Sequence, residues 1–208
     1  MNPSKIWFPI FLSTLFLFPV LGGAEEKPEV ASGLSEEVLE GPPSPEITYS
    51  FTQSLPEARV IRHRDHKKSE AEWKEGHFRF IEAPGIADVY VAENFIVTGS
   101  VREAIAIQIQ PGFDTTLIFS RVPPGKGLKI FLAIPDYALK KEKAVPADFE
   151  IWIGKKKILD TQVSAKGWKQ ERADLGLPFL LQRSYVFTVK AHSTDAESKT
   201  VLFYGYIE

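Results

Sequence analysis

The sequence predicts an all-β chain, an antiparallel jelly-roll-like β-sandwich with one or two short helices. Three observations carry this. Leu128, Ile130, Leu132 and Ile134 alternate with Lys129, Phe131 and Ala133, the period-2 pattern of a half-buried strand, and Tyr185, Phe187, Val189 and Ala191 repeat it. Proline and glycine punctuate these runs, as in Pro123-Pro124-Gly125-Lys126-Gly127, which cannot continue a strand because two N–H donors are missing. Only two stretches read as helix, against about ten that read as short strands, and that balance defines a sandwich.

The chain of 208 residues opens with a stretch that does not belong to the fold. Lys5 is followed by an almost wholly apolar run over residues 6–21, and Gly22-Gly23-Ala24 places small residues before a cleavage point. This is the pattern of a secretory signal peptide. The run is about 16 residues against the roughly 20 needed to span a bilayer, so cleavage after Ala24 is expected in preference to a retained anchor. The expected address is the periplasm or the extracellular space, with no membrane span after cleavage.

Residues 25–46 hold seven glutamates, one lysine and four prolines. Such a segment buries too little apolar surface to offset its ordering entropy, and it reads as a disordered acidic linker. The folded domain is expected over residues 47–208. Ile47, Tyr49 and Phe51 alternate as a first strand, and residues 59–62 form a second. The charge run Arg62-His63-Arg64-Asp65-His66-Lys67-Lys68 reads as a solvated basic loop. Ser69-Glu70-Ala71-Glu72 has the form of a capping box, which predicts a short helix with Trp73 as a core anchor and Gly76 at its end.

Phe78 and Phe80 return to strand spacing. Three apolar runs follow, at residues 89–91, 95–97 and 104–109, the last directing Ile105, Ile107 and Ile109 inward. Strands over residues 115–122 and 128–134 flank the Pro-Pro-Gly turn. Asp136 is placed to N-cap a second short helix over residues 137–143. Phe149, Ile151 and Ile153 define one face of a strand, Glu150 and Trp152 the other, and residues 154–157 turn it back. Residues 167–176 read as a loop, and residues 201–207 as a last strand, apolar on both faces except at Gly205.

Several of these features recur in a recognisable order: Val101-Arg102-Glu103-Ala104-Ile105, Pro111, Thr115-Thr116-Leu117, Ala133-Ile134-Pro135-Asp136, Phe149-Glu150-Ile151-Trp152-Ile153, Gly167-Trp168, Ala173-Asp174-Leu175 and Tyr185 to Val189. In this order the chain resembles the galactose-binding-like jelly rolls that accompany bacterial glycosidases and stand alone in envelope proteins. The resemblance covers residues 47–208 and implies two antiparallel sheets of about eight to ten strands. It also implies a non-catalytic module. Some members hold a structural calcium by loop oxygens; no calcium motif is matched here, and no cofactor is indicated.

Composition excludes several classes. Lys5 leaves with the leader, so 24 of the 25 basic side chains face 27 acidic ones, a balance unlike that of a nucleic-acid binder. The absence of cysteine excludes disulfides, thiolate metal sites and a thiol nucleophile. No nucleophile elbow, H-E-x-x-H or phosphate-binding loop occurs, so no catalytic residue is assigned. His63, Asp65 and His66 cluster, but Arg62, Arg64, Lys67 and Lys68 surround them and repel a cation, so no metal site is assigned either. The alternative to a solvated loop is that the same basic run attracts an anionic glycan or lipid headgroup.

Aromatic side chains are the expected ligand contacts, because sugar rings present apolar C–H faces while their hydroxyls need polar neighbours. Trp152 with Glu150, Trp168, and Tyr137 with Asp136 are the candidate ligand-binding residues. The expected function is an exported non-catalytic module for an envelope or extracellular carbohydrate. The alternative is a structural or assembly protein of the envelope that binds a protein partner. A hydrolase with an unrecognised carboxylate pair is the third reading.

Overall fold

The structure is a computed structural model that describes residues 46–80, 89–136, 146–163, 167–176, 181–192 and 199–208. The all-β class is as the sequence predicts. Among the described residues thirteen strands run β1 Tyr49–Ser50, β2 Arg59–Arg64, β3 Lys67–Lys74, β4 His77–Arg79, β5 Val89–Val97, β6 Ser100–Ile109, β7 Asp114–Val122, β8 Gly127–Ala133, β9 Ala147–Ile153, β10 Lys156–Val163, β11 Lys169–Asp174, β12 Arg183–Ala191 and β13 Lys199–Ile207. All described pairings are antiparallel, in the order β10-β9-β12-β7-β2-β3-β4-β5-β6-β13-β8-β11, with β1 on β13. The two layers are continuous through β3. Its first half pairs with β2 (Val60 opposite Ala71), and its second half pairs with β4 (Trp73 opposite Phe78).

At the other margin side chains close the gap between β10 and β11. The Thr161 hydroxyl donates to Glu171 Oε1 at 3.0 Å, Lys169 Nζ lies 2.8 Å from the same oxygen, and Lys169 also reaches Thr161 and the Gln162 carbonyl. The hydrogen bond from Lys169, with that from Thr161, holds the Glu171 carboxyl below the usual glutamate range against the opposing effect of burial.

The core lies between the layers and is built by the alternation. Phe119 of β7, Phe149 of β9, Phe187 of β12 and Phe203 of β13 are all buried, as is Phe51, which lies in the turn after β1 instead of in the strand expected for it. Phe187 stacks on Phe203 at 5.4 Å and meets Phe51 edge-on at 4.9 Å. Ile105, Ile107 and Ile109 point inward as expected.

Two expectations fail. Residues 69–76 form no helix: Ser69 and Ala71 pair with β2, Trp73 packs edge-on against Phe78 at 4.9 Å, and Glu75-Gly76 turn the chain with φ of 51° and 83°. Two successive positive φ values make a tight two-residue hairpin turn, so the glycine serves a hairpin where a helix end was expected. Pairing on both sides of β3 overrides the local capping pattern. The stretch expected as a loop after Gly167 contains β11, which pairs with β8 from Lys169 opposite Leu132 to Asp174 opposite Gly127. As a margin strand it carries the polar sequence Lys-Gln-Glu-Arg-Ala-Asp and no apolar alternation. The signal peptide and most of the linker, and the second expected helix beyond Asp136, fall outside the described residues. No described helix is long and apolar enough to cross a membrane.

Replacing Phe187 with alanine removes the side chain shared by both layers and lowers unfolding free energy by about 3–5 kcal/mol, read from urea unfolding. The seam adds a pH dependence. A carboxyl held below its ordinary range contributes stability that is complete above the unfolded value and is lost as pH falls through the folded one. Glu171→Gln therefore flattens the acid side of the stability profile, measured as thermal midpoint against pH.

Candidate functional site

The predicted residues separate into two places. Trp152 and Glu150 lie on the outward face of β9, half-buried. The indole Nε1 donates to Glu150 Oε2 at 3.1 Å. Lys157, opposite Trp152 on β10, holds its ammonium 5.0 Å from the ring centroid and ion-pairs with Glu150 at 3.0 Å and Asp160 at 2.8 Å. The indole thus already spends its N–H and one face on its neighbours.

Trp168 belongs to the other layer. It meets Tyr204 edge-on at 5.2 Å and packs against a satellite cluster of Ala92, Val97, Ala104, Ala106, Ala133 and Leu202. Its buried Nε1 has no partner among the described residues. Both carboxylate oxygens of Asp136 accept from the Thr98 N–H, at 3.2 and 3.1 Å, which fixes the β5–β6 turn. Gly167 lies against the Thr98 side chain, so Asp136 and Trp168 sit near one hairpin end. Tyr137 lies outside the described residues.

A different site emerges from the basic run. It is not a solvated loop: β2 and β3 are joined by Asp65-His66, with φ of 46° and 66°, in another tight hairpin. On β2 the inward positions are Val60, Arg62 and Arg64. Val60 faces Ala71 and Leu117 in the core; one step on, Arg62 faces Ser69 and Thr115; the next position, Arg64, faces Lys67. The inner row therefore turns from apolar to cationic toward the β2–β3 turn, at one end of the sandwich. Arg62 is only 3% exposed, with its guanidinium 3.9 Å over the Phe80 ring, a residue that follows β4. Phe113 lies 5.4 Å from the Arg62 guanidinium and 4.8 Å from that of Arg64.

These side chains, with Asp65, line a cleft of 390 Å³. Its lining carries three cations against one carboxylate, and Asp65 leans on Arg64 at 3.5 Å. A guanidinium over an aromatic ring keeps its full charge, and Arg64 keeps a solvent-facing side as well. The sequence signal was the alternation Val60-x-Arg62-x-Arg64, which continues the strand through the charged run. A larger hollow of 640 Å³ lies beside the Pro-Pro-Gly turn, but its Glu208 carboxylate is already paired with Arg172 at 2.9 Å and Lys129 at 3.5 Å. Among the described residues no three His, Asp or Glu side chains converge as a metal site.

The class defined so far is an antiparallel β-sandwich with a cationic, aromatic-walled cleft at its mouth. No family model matches the chain, and no curated protein is significantly similar to it in sequence. Solved structures of similar fold include carbohydrate-binding modules. The CBM51 module of Clostridium perfringens GH95, in complex with methyl-galactose, is 10% identical over 56% of this chain and 78% of its own, with a TM-score of 0.37. TmCBM61, in complex with β-1,4-galactotriose, is 15% identical over 76% of this chain and 94% of its own, at 0.40. A family 43 arabinoxylan arabinofuranohydrolase from Bacillus subtilis, in complex with cellotetraose, matches 71% of this chain with 27% of its own, at 11% identity and 0.39. At these TM-scores the likenesses carry nothing about function, which rests on this chain's own residues.

Asp136→Ala removes the acceptor of the Thr98 N–H. The expected result is faster amide hydrogen exchange at Thr98 and its neighbours in the turn, with the core amides around Phe187 unchanged.

Proposed function

We propose that this chain is an exported, non-catalytic module that binds carbohydrate in the cleft at the mouth of the sandwich. One observation carries the reading: a buried arginine, its guanidinium 3.9 Å from the Phe80 ring centroid, lines a cleft that also presents Ser69, Asp65, Lys67, Arg64 and Phe113. Sugars need this mixture. Aromatic carbon contacts the C–H positions of the ring, while a hydroxyl, a carboxylate and N–H donors meet its hydroxyl groups. The volume is within the range of about 300–1,000 Å³ usual for small-ligand clefts. Export is supported by the apolar run over residues 6–21 with small residues after it.

The test is isothermal calorimetry of the chain against a panel of neutral and acidic oligosaccharides. Binding of at least one class is expected. Phe113→Ala, which opens one wall, weakens it by about tenfold or more, as removal of a central aromatic contact does. Trp152→Ala leaves it unchanged. If no sugar binds, or if Trp152→Ala abolishes binding while Phe113→Ala does not, the cleft is not the site.

A further inference from the structure

The charge of the cleft runs against that of the chain. The whole sequence has a formal net charge of −2, yet the lining places Arg62, Arg64 and Lys67 together against Asp65 alone. Asp65 has a side chain 86% exposed, at the turn and not in the floor. Two of the three cations lie over phenylalanine rings, Arg62 at 3.9 Å from Phe80 and Arg64 at 4.8 Å from Phe113. Lys67 stands across from Arg64 in the strand register, and Ser69 across from Arg62, so cationic and hydroxyl donors alternate along one wall. Arg62 already takes part in the fold's own contacts. Selection is therefore carried by the summed field of the three cations within low-dielectric walls.

We infer that the cleft selects anionic carbohydrate, a sugar whose carboxylate or sulfate group lies between Arg62, Arg64 and Lys67. This rests on the reading of the cleft as a carbohydrate site. A neutral sugar leaves the charge of Arg64 and Lys67 to water, whereas an acidic one gains charge-assisted hydrogen bonds that are about twice as strong as neutral ones. The planar fork of the Arg64 guanidinium, on the solvent side, matches two oxygens of a carboxylate or sulfate at once.

The experiment uses three probes in calorimetry: an oligogalacturonide, its fully methyl-esterified form, and a sulfated galactan oligosaccharide. The acid is expected to bind about tenfold or more tightly than its methyl ester at low salt. That advantage shrinks as ionic strength rises above about 0.1 M. Arg64→Gln and Lys67→Gln, both toward the solvent side, each reduce the preference while the thermal midpoint stays in place. Arg64→Lys keeps the charge but loses the planar fork, and it weakens the acid more than the ester. Tighter binding of the sulfated probe than of the carboxylated one also supports the inference and assigns the anion as sulfate. Equal binding of acid and methyl ester overturns charge selection and leaves the carbohydrate site standing. Binding of none of the three probes, together with none of the neutral panel, overturns both.

Discussion

The fold depends on the contact between Phe187 and Phe203, where the two layers meet ring on ring. Phe187 also reaches Phe51, Phe119 and Phe149, at 4.9, 5.3 and 6.1 Å, so one side chain of β12 gathers the aromatic core. Each of these phenylalanines removes a large apolar surface from water, and edge-on or offset ring contacts add to that burial. The constraint this sets is simple. Every strand that crosses the cluster must present an apolar residue inward at that level, and only beyond it is the inner row free to become polar. Val60 obeys the constraint; Arg62, one inward position later, lies where it lapses.

The Pro-Pro-Gly turn shows the same dependence at the opposite margin. The N–H groups of Lys126 and Gly127 donate to the Glu208 carbonyl at 2.6 and 3.1 Å, and Glu208 N–H donates back to Gly127 at 2.9 Å. Gly125 has no alternative there, because a Cβ would fall 2.0 Å from Ile207 Cγ2 and 2.9 Å from the Glu208 carbonyl oxygen. The Glu208 side chain then binds Arg172 of β11 and Lys129 of β8. A turn that punctuates the sequence is thus a clasp on the end of β13, and its charges belong to that clasp. That is why the larger hollow beside it is a less convincing site than the smaller cleft.

The strands most legible in the sequence were those paired on both sides. Leu128 to Ile134 and Phe149 to Ile153 alternate because one face of each meets the phenylalanine core. β11 was illegible for the converse reason. It lies at a margin, its half-buried positions are Glu171 and Ala173, and its stability comes from Lys169, Glu171 and Thr161, which follow no hydrophobic period. β3 was hidden by a local pattern that fits a helix cap equally well, since Ser69-x-x-Glu72 says nothing about the strands waiting on either side. The candidate residues split for a related reason. Alternation correctly placed Trp152 and Glu150 on the outward face, but it carries no information about Lys157, which folds back over the indole from the next strand.

Arg62 is the residue whose position asks most of the fold. Taking a guanidinium out of water costs several kcal/mol unless the surroundings compensate. An aliphatic residue there would extend the row begun by Val60 and close the mouth at no such penalty. Phe80 offsets part of the cost by offering its ring face at 3.9 Å, and the fold's remaining contacts to Arg62 offset more. Arg64, one step outward over Phe113, repeats the arrangement with water on one side. The two arginines therefore form a graded series from core to solvent, on one strand and one face. A rigid strand backed by the aromatic core holds such a series in place more firmly than a loop would. Charge balance distinguishes the mouth of the sandwich from the Trp152 face: Lys157 there is paired with Glu150 and Asp160, whereas three cations of the cleft stand against one carboxylate.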